Sequence, residues 1–193
     1  MGRTFVWCGN DAGIDLLNTQ IVADGRPVDL LDSFGALLDW SSQRGLLSEE
    51  VTAACATVSR QKASHTFEWS LRVRSALRGV LDPSALDAGA VQALDIAVGE
   101  VPVRLAVTGP AAHEVGQLLG PSAADQLRVE LASAASRSLQ LGRLRVRRCA
   151  NPDCVLLFYD TSRNGLRRWC DMAGCGNRAK VSAFYQRTRT GPS

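Results

Sequence analysis

Four of the six cysteines fall in a regular pattern: Cys149-x4-Cys154, fifteen intervening residues, then Cys170-x4-Cys175. Thiolates from two close pairs joined by a short connection suit zinc, which takes four soft ligands in a tetrahedron. The spacing predicts one structural Zn2+ per chain on Cys149, Cys154, Cys170 and Cys175. With sulfur in every ligand position there is no place for an activated water, so the expected metal is not catalytic. Two disulfides are the competing arrangement, disfavoured in a reducing cytosol. An iron–sulfur cluster accepts the same ligands, but nothing in the chain supplies a redox partner. Cys8 and Cys55 stand apart, and Cys55, in an Ala/Val-rich helical stretch, reads as a small packed hydrophobe.

Around these cysteines lies a cluster of cations. Arg163, Asn164, Arg167, Arg168 and Trp169 precede the second pair, and Asn177, Arg178, Lys180, Arg187 and Arg189 follow it. Guanidinium forks fit phosphate oxygens and the guanine edge, and Trp169 offers a face for a base or a guanidinium. Arginine makes up 20 of the 22 basic residues, so its clustering carries the information rather than its use. A four-thiolate zinc centre is itself anionic, so Asn177 and Arg178, beside the last ligand, serve equally well as supports of the metal. Arg163, Arg167, Arg168, Lys180, Arg187 and Arg189 are assigned to phosphate contact.

The charge is divided along the chain. Residues 1–142 hold 11 Lys and Arg against 16 Asp and Glu, a balance of −5; residues 143–193 hold 11 against 3, a balance of +8. An acidic body with a basic tail points to a polyanionic partner for the tail. At 193 residues and 46% hydrophobic, the chain can bury a core without a metal framework throughout. No apolar run approaches the roughly 18–20 residues that span a bilayer, and the stretch from Phe5 to Cys8 is too short for a secretory signal. The expected location is the cytoplasm, at the nucleoid.

The elements that must position the cysteines are mainly helical. Ile14–Thr19 reads as a short helix, and Ser33 as the N-cap of a second that Gly45 stops. Ser48-Glu49-Glu50 opens a long helix whose apolar spacing runs to Asp82-Pro83, and a shorter helix follows from Ala85 to Val98. Val101–Val107 alternates as an edge strand, and Ala123–Leu141 is again helical. Gly142 marks the boundary between a mostly helical domain, 1–142, and a small four-cysteine module, 143–193. In the module, Leu144–Arg147 predicts a strand into Cys149. Val155–Tyr159 predicts another, turning at Asn164-Gly165 and returning. A helix through Asn177, Ala179, Val181, Phe184 and Tyr185 completes a treble-clef- or ribbon-like zinc module. The fold class expected is α+β.

The segments Cys149-Ala150-Asn151-Pro152-Asp153-Cys154, Phe158–Asn164, Arg167-Arg168-Trp169-Cys170 and Cys175-Gly176-Asn177-Arg178-Ala179-Lys180 closely resemble the CGNR zinc-finger family, named for the tetrapeptide at 175–178. Gly13-Ile14-Asp15-Leu16-Leu17-Asn18-Thr19 resembles the start of the ABATE domain that usually precedes this finger. Together the resemblances imply a bacterial stress-induced transcription regulator whose basic finger binds duplex DNA.

For the front domain two readings stand. Asp15, Asn18 and Thr19, with Arg72, Arg74 or Arg78 as counter-charge, line a pocket for a small-molecule effector; or the polar residues end a helix and the arginines face solvent. A homodimer is a further expected arrangement. The chain has no Gly-rich phosphate loop, nucleophile elbow or zinc-protease helix motif, so no enzyme activity is expected. Competing with DNA are an RNA-binding knuckle and a protein-interaction module whose basic tail docks on an acidic partner or on the acidic front itself.

Overall fold

The computed structural model describes residues 3–108, 115–181 and 185. The chain begins in an extended segment and enters helix α1, Ala12–Leu17, where the Asp11 carboxylate caps the amides of Gly13 and Ile14. All six residues of α1 are buried. Gly13 is required there: a Cβ on it would run into the Ser138 hydroxyl and come within 3.1 Å of the Ala134 carbonyl on a facing helix.

Next comes a hairpin that the sequence reading did not foresee, β1 (Gln20–Ala23) against β2 (Arg26–Asp29), antiparallel with Ile21 opposite Val28. Its turn is Asp24-Gly25, both residues in the left-handed region at φ 49° and 72°, as a two-residue type I′ hairpin demands. The Asp-Gly pair was the available signal.

Helix α2, Phe34–Gln43, starts at Ser33, whose hydroxyl accepts from the Ala36 amide, and ends before Gly45 at φ 73°. The long helix expected from Ser48 to Asp82 is two helices, α3 (Glu49–Ala56) and α4 (Arg60–Leu81). Thr57 turns its hydroxyl onto the Ala54 carbonyl and Ser59 caps the Lys62 amide, so one helix is closed and the next opened within three residues. Helix α5 covers Ala90–Gly99, starting later than expected because Asp82 and Asp87 hold residues 82–89 in capped turns.

Strands β3 (Arg104–Thr108) and β4 (Val115–Leu119) pair antiparallel, so Pro102 lies ahead of the strand rather than in it. Helix α6, Ala123–Gln140, is capped by Ser122. Gly142, at φ 78°, separates it from a 3-10 turn, Arg143–Arg145.

Helix α4 is the central element. It packs on α1, α2, α5 and α6 through Trp69, Val73, Leu77 and Leu81, all essentially inaccessible. Trp69 donates its indole N–H to the Ala97 carbonyl at 2.7 Å, and the Arg128 guanidinium lies 4.9 Å from its ring centre. The facing side chains are Ile14 and Leu17 from α1, Leu37 and Trp40 from α2, and Leu127 and Leu131 from α6.

The C-terminal module departs from its expected pairing. Strand β5 (Val146–Arg148) pairs with β6 (Leu157–Tyr159), Arg147 opposite Phe158. The hairpin therefore encloses the first cysteine pair. Asn164-Gly165 does turn, with Gly165 at φ 63°, but the chain returns without forming a strand; the Arg168 carbonyl accepts from Ala150 instead. A π-helical turn, Met172–Gly176, carries the last cysteine into helix at 177–181. The described residues thus form an α+β fold with three two-stranded antiparallel ladders.

The two regions share an interface built on β6. Asn18 Nδ2 donates to the Leu157 carbonyl and Asn18 Oδ1 accepts from the Leu157 amide, each at 2.8 Å. One residue pair further on, the Tyr159 amide donates to the Gly9 carbonyl (2.8 Å) and Asn10 Nδ2 to the Tyr159 carbonyl (2.9 Å). The front of the chain thereby completes the open edge of the module's hairpin.

Candidate metal centre

Each cysteine is held by its own local device. Cys149 directly follows β5 and donates its amide to the Leu156 carbonyl, while Cys154 closes a turn on the Asn151 carbonyl. Cys170 follows the returning strand-like segment. Cys175 sits in the π turn, opened by Asp171, whose carboxylate accepts from the Gly174 amide at 2.5 Å. The four sulfurs converge within 4.8 Å of one another.

That geometry fits zinc. A tetrahedron with zinc–sulfur bonds of about 2.3 Å has edges of about 3.8 Å. Cys154 and Cys170 stand 3.8 Å apart, and Cys170 and Cys175 3.7 Å. Both separations are far beyond the ~2.0 Å of a disulfide bond, and all six cysteines are free thiols. Contact with Cys170, then burial, raises the Cys154 thiol above its ordinary range, and burial raises Cys149. At Cys170 the Cys154 contact lowers the pKa, but Cys8 and burial outweigh it and the net shift is upward. Without metal these groups are neutral thiols, so loading displaces protons and affinity falls with acidity.

The anionic charge of the loaded centre meets donors already in place. Asn151 Nδ2 and Arg178 Nη2 both donate to Cys175 Sγ, and the Cys170 amide to Cys149 Sγ, each at 3.5 Å. Arg167 faces inward: its Nε donates to the Trp169 carbonyl at 2.8 Å, its Nη2 to the Cys170 carbonyl, and its guanidinium lies 4.4 Å over the Phe158 ring. Arg167 holds the second knuckle onto the hairpin. It was assigned to phosphate; its observed partners are internal.

Arg163, Asn164 and Arg168 are exposed at the turn, and Arg168 stacks 5.2 Å from the half-buried Trp169 ring centre. Asn177 and Lys180 are exposed on the helix. Among the described residues Arg163 and Lys180 have no hydrogen-bonded or ionic partner. Arg187 and Arg189 lie outside the described residues, as does Phe184.

The front residues divide among three sets of partners. Asp15 is buried, accepting from the Gly9 amide (2.8 Å) and Arg44 Nε (2.9 Å). Burial nevertheless raises its pKa. Asn18 serves β6. Thr19 and Arg74 do meet, at 2.8 Å, and Arg74 forks onto Asp29 at 2.7 and 2.5 Å. Arg74 is therefore buried and paired, not solvent-facing.

Three supports escaped the sequence reading: Asn151, Asp160 and Cys8. Asp160 is fully buried and accepts from the Ser162 amide and hydroxyl and the Arg167 amide, at 2.9, 2.5 and 3.0 Å. Burial opposes its charge, but those donors win and its pKa lies below the usual carboxylate range. The Asp-x-Ser spacing was a readable turn signal; the position of Cys8 was not.

A helical body joined to a small four-thiolate zinc module defines the class: a zinc-finger protein with a structural metal. The chain matches the CGNR zinc finger over residues 145–188 and the ABATE family, described as "Putative stress-induced transcription regulator", over residues 10–144. It belongs to the ABATE family and carries a CGNR finger that holds one structural zinc. No curated protein matches it. Among the described residues, no helix is long and apolar enough to cross a membrane.

Proposed function

We propose that this zinc-binding regulator acts by contacting duplex DNA with the exposed cationic face of its finger. The observation that carries the reading is the tip at Arg163, Asn164, Arg168 and Trp169, set on a metal-braced scaffold with Lys180 on the following helix. Of the module's cations, Arg148 reaches a carboxylate of the front region, Asp82, at 3.4 Å. Arg145 and Arg147 are tied to backbone carbonyls of their own module. Arg163 and Lys180 keep their charge available. That favours an external polyanion over docking of the basic module on its own acidic front.

In this reading Arg163, Arg168 and Lys180 take phosphates and Trp169, backed by Arg168, presents its free face to the nucleic acid. Arg167 and Arg178 act as supports. Division of labour at residue 142 follows: the front carries the finger and the finger carries recognition. No catalytic group is proposed.

Fluorescence anisotropy of labelled duplex DNA across a salt series tests this. Affinity should fall linearly on a log–log plot as counterions are released, and Arg163→Ala with Arg168→Ala should reduce the slope by about two. Binding that ignores salt, or survives both substitutions unchanged, refutes the reading. Tighter binding to single-stranded RNA at matched salt would move the partner to RNA.

A further inference from the structure

Four sulfurs satisfy the metal, yet a fifth stands beside them. Cys8 belongs to the front of the chain, and it is packed in one buried cluster with Cys149, Phe158, Cys170 and Cys175. Cys170 is its neighbour in that cluster. Asn18 Nδ2 donates to Cys8 Sγ at 3.5 Å, which fixes the thiol in place, while the same side chain grips Leu157. These sulfurs are also reachable. Cys8, Cys154, Cys170 and Cys175 line a single cavity of about 270 Å3, together with the cationic Arg178 and the apolar side chains of Val6 and Ile21.

We infer that Cys8 is an oxidation site: the resolving thiol of a disulfide with Cys170, driven by a hydroperoxide and labilising the zinc. The zinc-bound Cys170 sulfur attacks one peroxide oxygen and the O–O bond breaks. Cys170 becomes a sulfenic acid, and the departing hydroxide or alkoxide takes a proton from solvent. A sulfenic sulfur is no longer an anionic ligand, so one zinc–sulfur bond is lost. Cys8 sulfur then attacks Cys170 sulfur; the S–S bond forms, the S–O bond breaks, and hydroxide leaves with the Cys8 proton as water. Two electrons have passed from two sulfurs to the peroxide, and zinc is left with three thiolates.

Cys8 is suited to the second step because it is the neighbour that holds no metal. A disulfide between Cys154 and Cys170, although they stand 3.8 Å apart, would break two zinc–sulfur bonds rather than one. Arg178 in the cavity wall stabilises the anionic leaving group.

The full-length, zinc-loaded protein treated with equimolar hydrogen peroxide in the presence of a chromogenic zinc chelator tests the inference. It is followed by thiol alkylation and peptide mapping. Cys170 and Cys175 share the tryptic peptide 169–178, so tandem fragmentation assigns the linked sulfur. Expected are release of one zinc per chain, a cross-link from the 4–44 peptide to Cys170 (trypsin does not cut between Arg26 and Pro27), and recovery of zinc binding after reduction with a thiol. Cys8→Ala should still load one zinc and release it several-fold more slowly. Cys8 recovered as a free, alkylated thiol after the wild-type protein has lost its zinc overturns the inference. So does Cys8→Ala losing metal at the wild-type rate. If that variant does not fold, the mapping of the wild-type chain decides alone.

Discussion

Asn18 shows how much one side chain can contribute to this protein. Its amide group presents a donor and an acceptor at the spacing of a neighbouring strand, and both are used on Leu157, whose backbone has no solvent to turn to. Replacing Asn18 with alanine leaves two buried backbone groups unpaired, a cost of about 1–3 kcal/mol for each. Asn18→Ala should lower the urea midpoint accordingly without changing zinc stoichiometry, which denaturation and elemental analysis check together. The zinc ligands could be read from spacing alone because all four lie within a short stretch. Asn18 could not, because its partner is 139 positions away and its neighbours in sequence show only the end of a helix. The internal partners of Arg167 were hidden for a related reason: an arginine in a basic run looks solvated until the carbonyls and the Phe158 ring around it are placed.

At the level of elements, caps made the helices readable. Ser33 and Ser48 each accept from the amide three residues on, as their positions before helical runs implied, and Ser122 does the same ahead of α6. The break between α3 and α4 was hidden because the apolar spacing continues across it. β2 is joined to α4 by Asp29 and Arg74, a forked ion pair with the arginine buried and the carboxylate part-exposed. Burial works against the Asp29 charge, but the Arg74 bonds prevail and its pKa is lowered. A lowered carboxylate contributes stability that is complete above its unfolded value near 3.9 and drains as pH falls through the lowered value. Asp29→Asn should therefore cost more stability at pH 7 than at pH 3, flattening the acid limb of a melting-temperature profile. Asp15, whose pKa burial raises, works in the opposite direction: its charged form opposes the fold, and stability is gained as acid protonates it.

The whole molecule is held together across its charge divide. The finger's β6 places Leu157 in the helical core and Phe158 in the thiol cluster, so the metal and the core share a wall. Removing zinc should then destabilise the entire chain. Chelation is expected to lower the melting temperature on the order of 10 °C in a single transition, given the large free energy that structural zinc supplies and the sensitivity of a protein this size. Calorimetry with and without chelator checks it; two separate transitions, with the helical one unmoved, would contradict the shared wall. The charge contrast between residues 1–142 and 143–193 was visible in composition, whereas the intimacy of the two regions was not, since no local pattern encodes a strand edge completed by residues 9, 10 and 18.

The alternation along β6 also dictates what the chain can tolerate in length. Successive strand residues face opposite sides, so adding or deleting one residue between Cys154 and Leu157 would turn the phenylalanine toward the helices and the leucine toward the sulfurs. Neither pocket fits the other's occupant, and Asn18 would lose its mate. That two-residue bridge, Val155 and Leu156, is where an otherwise innocuous indel should be least forgiven.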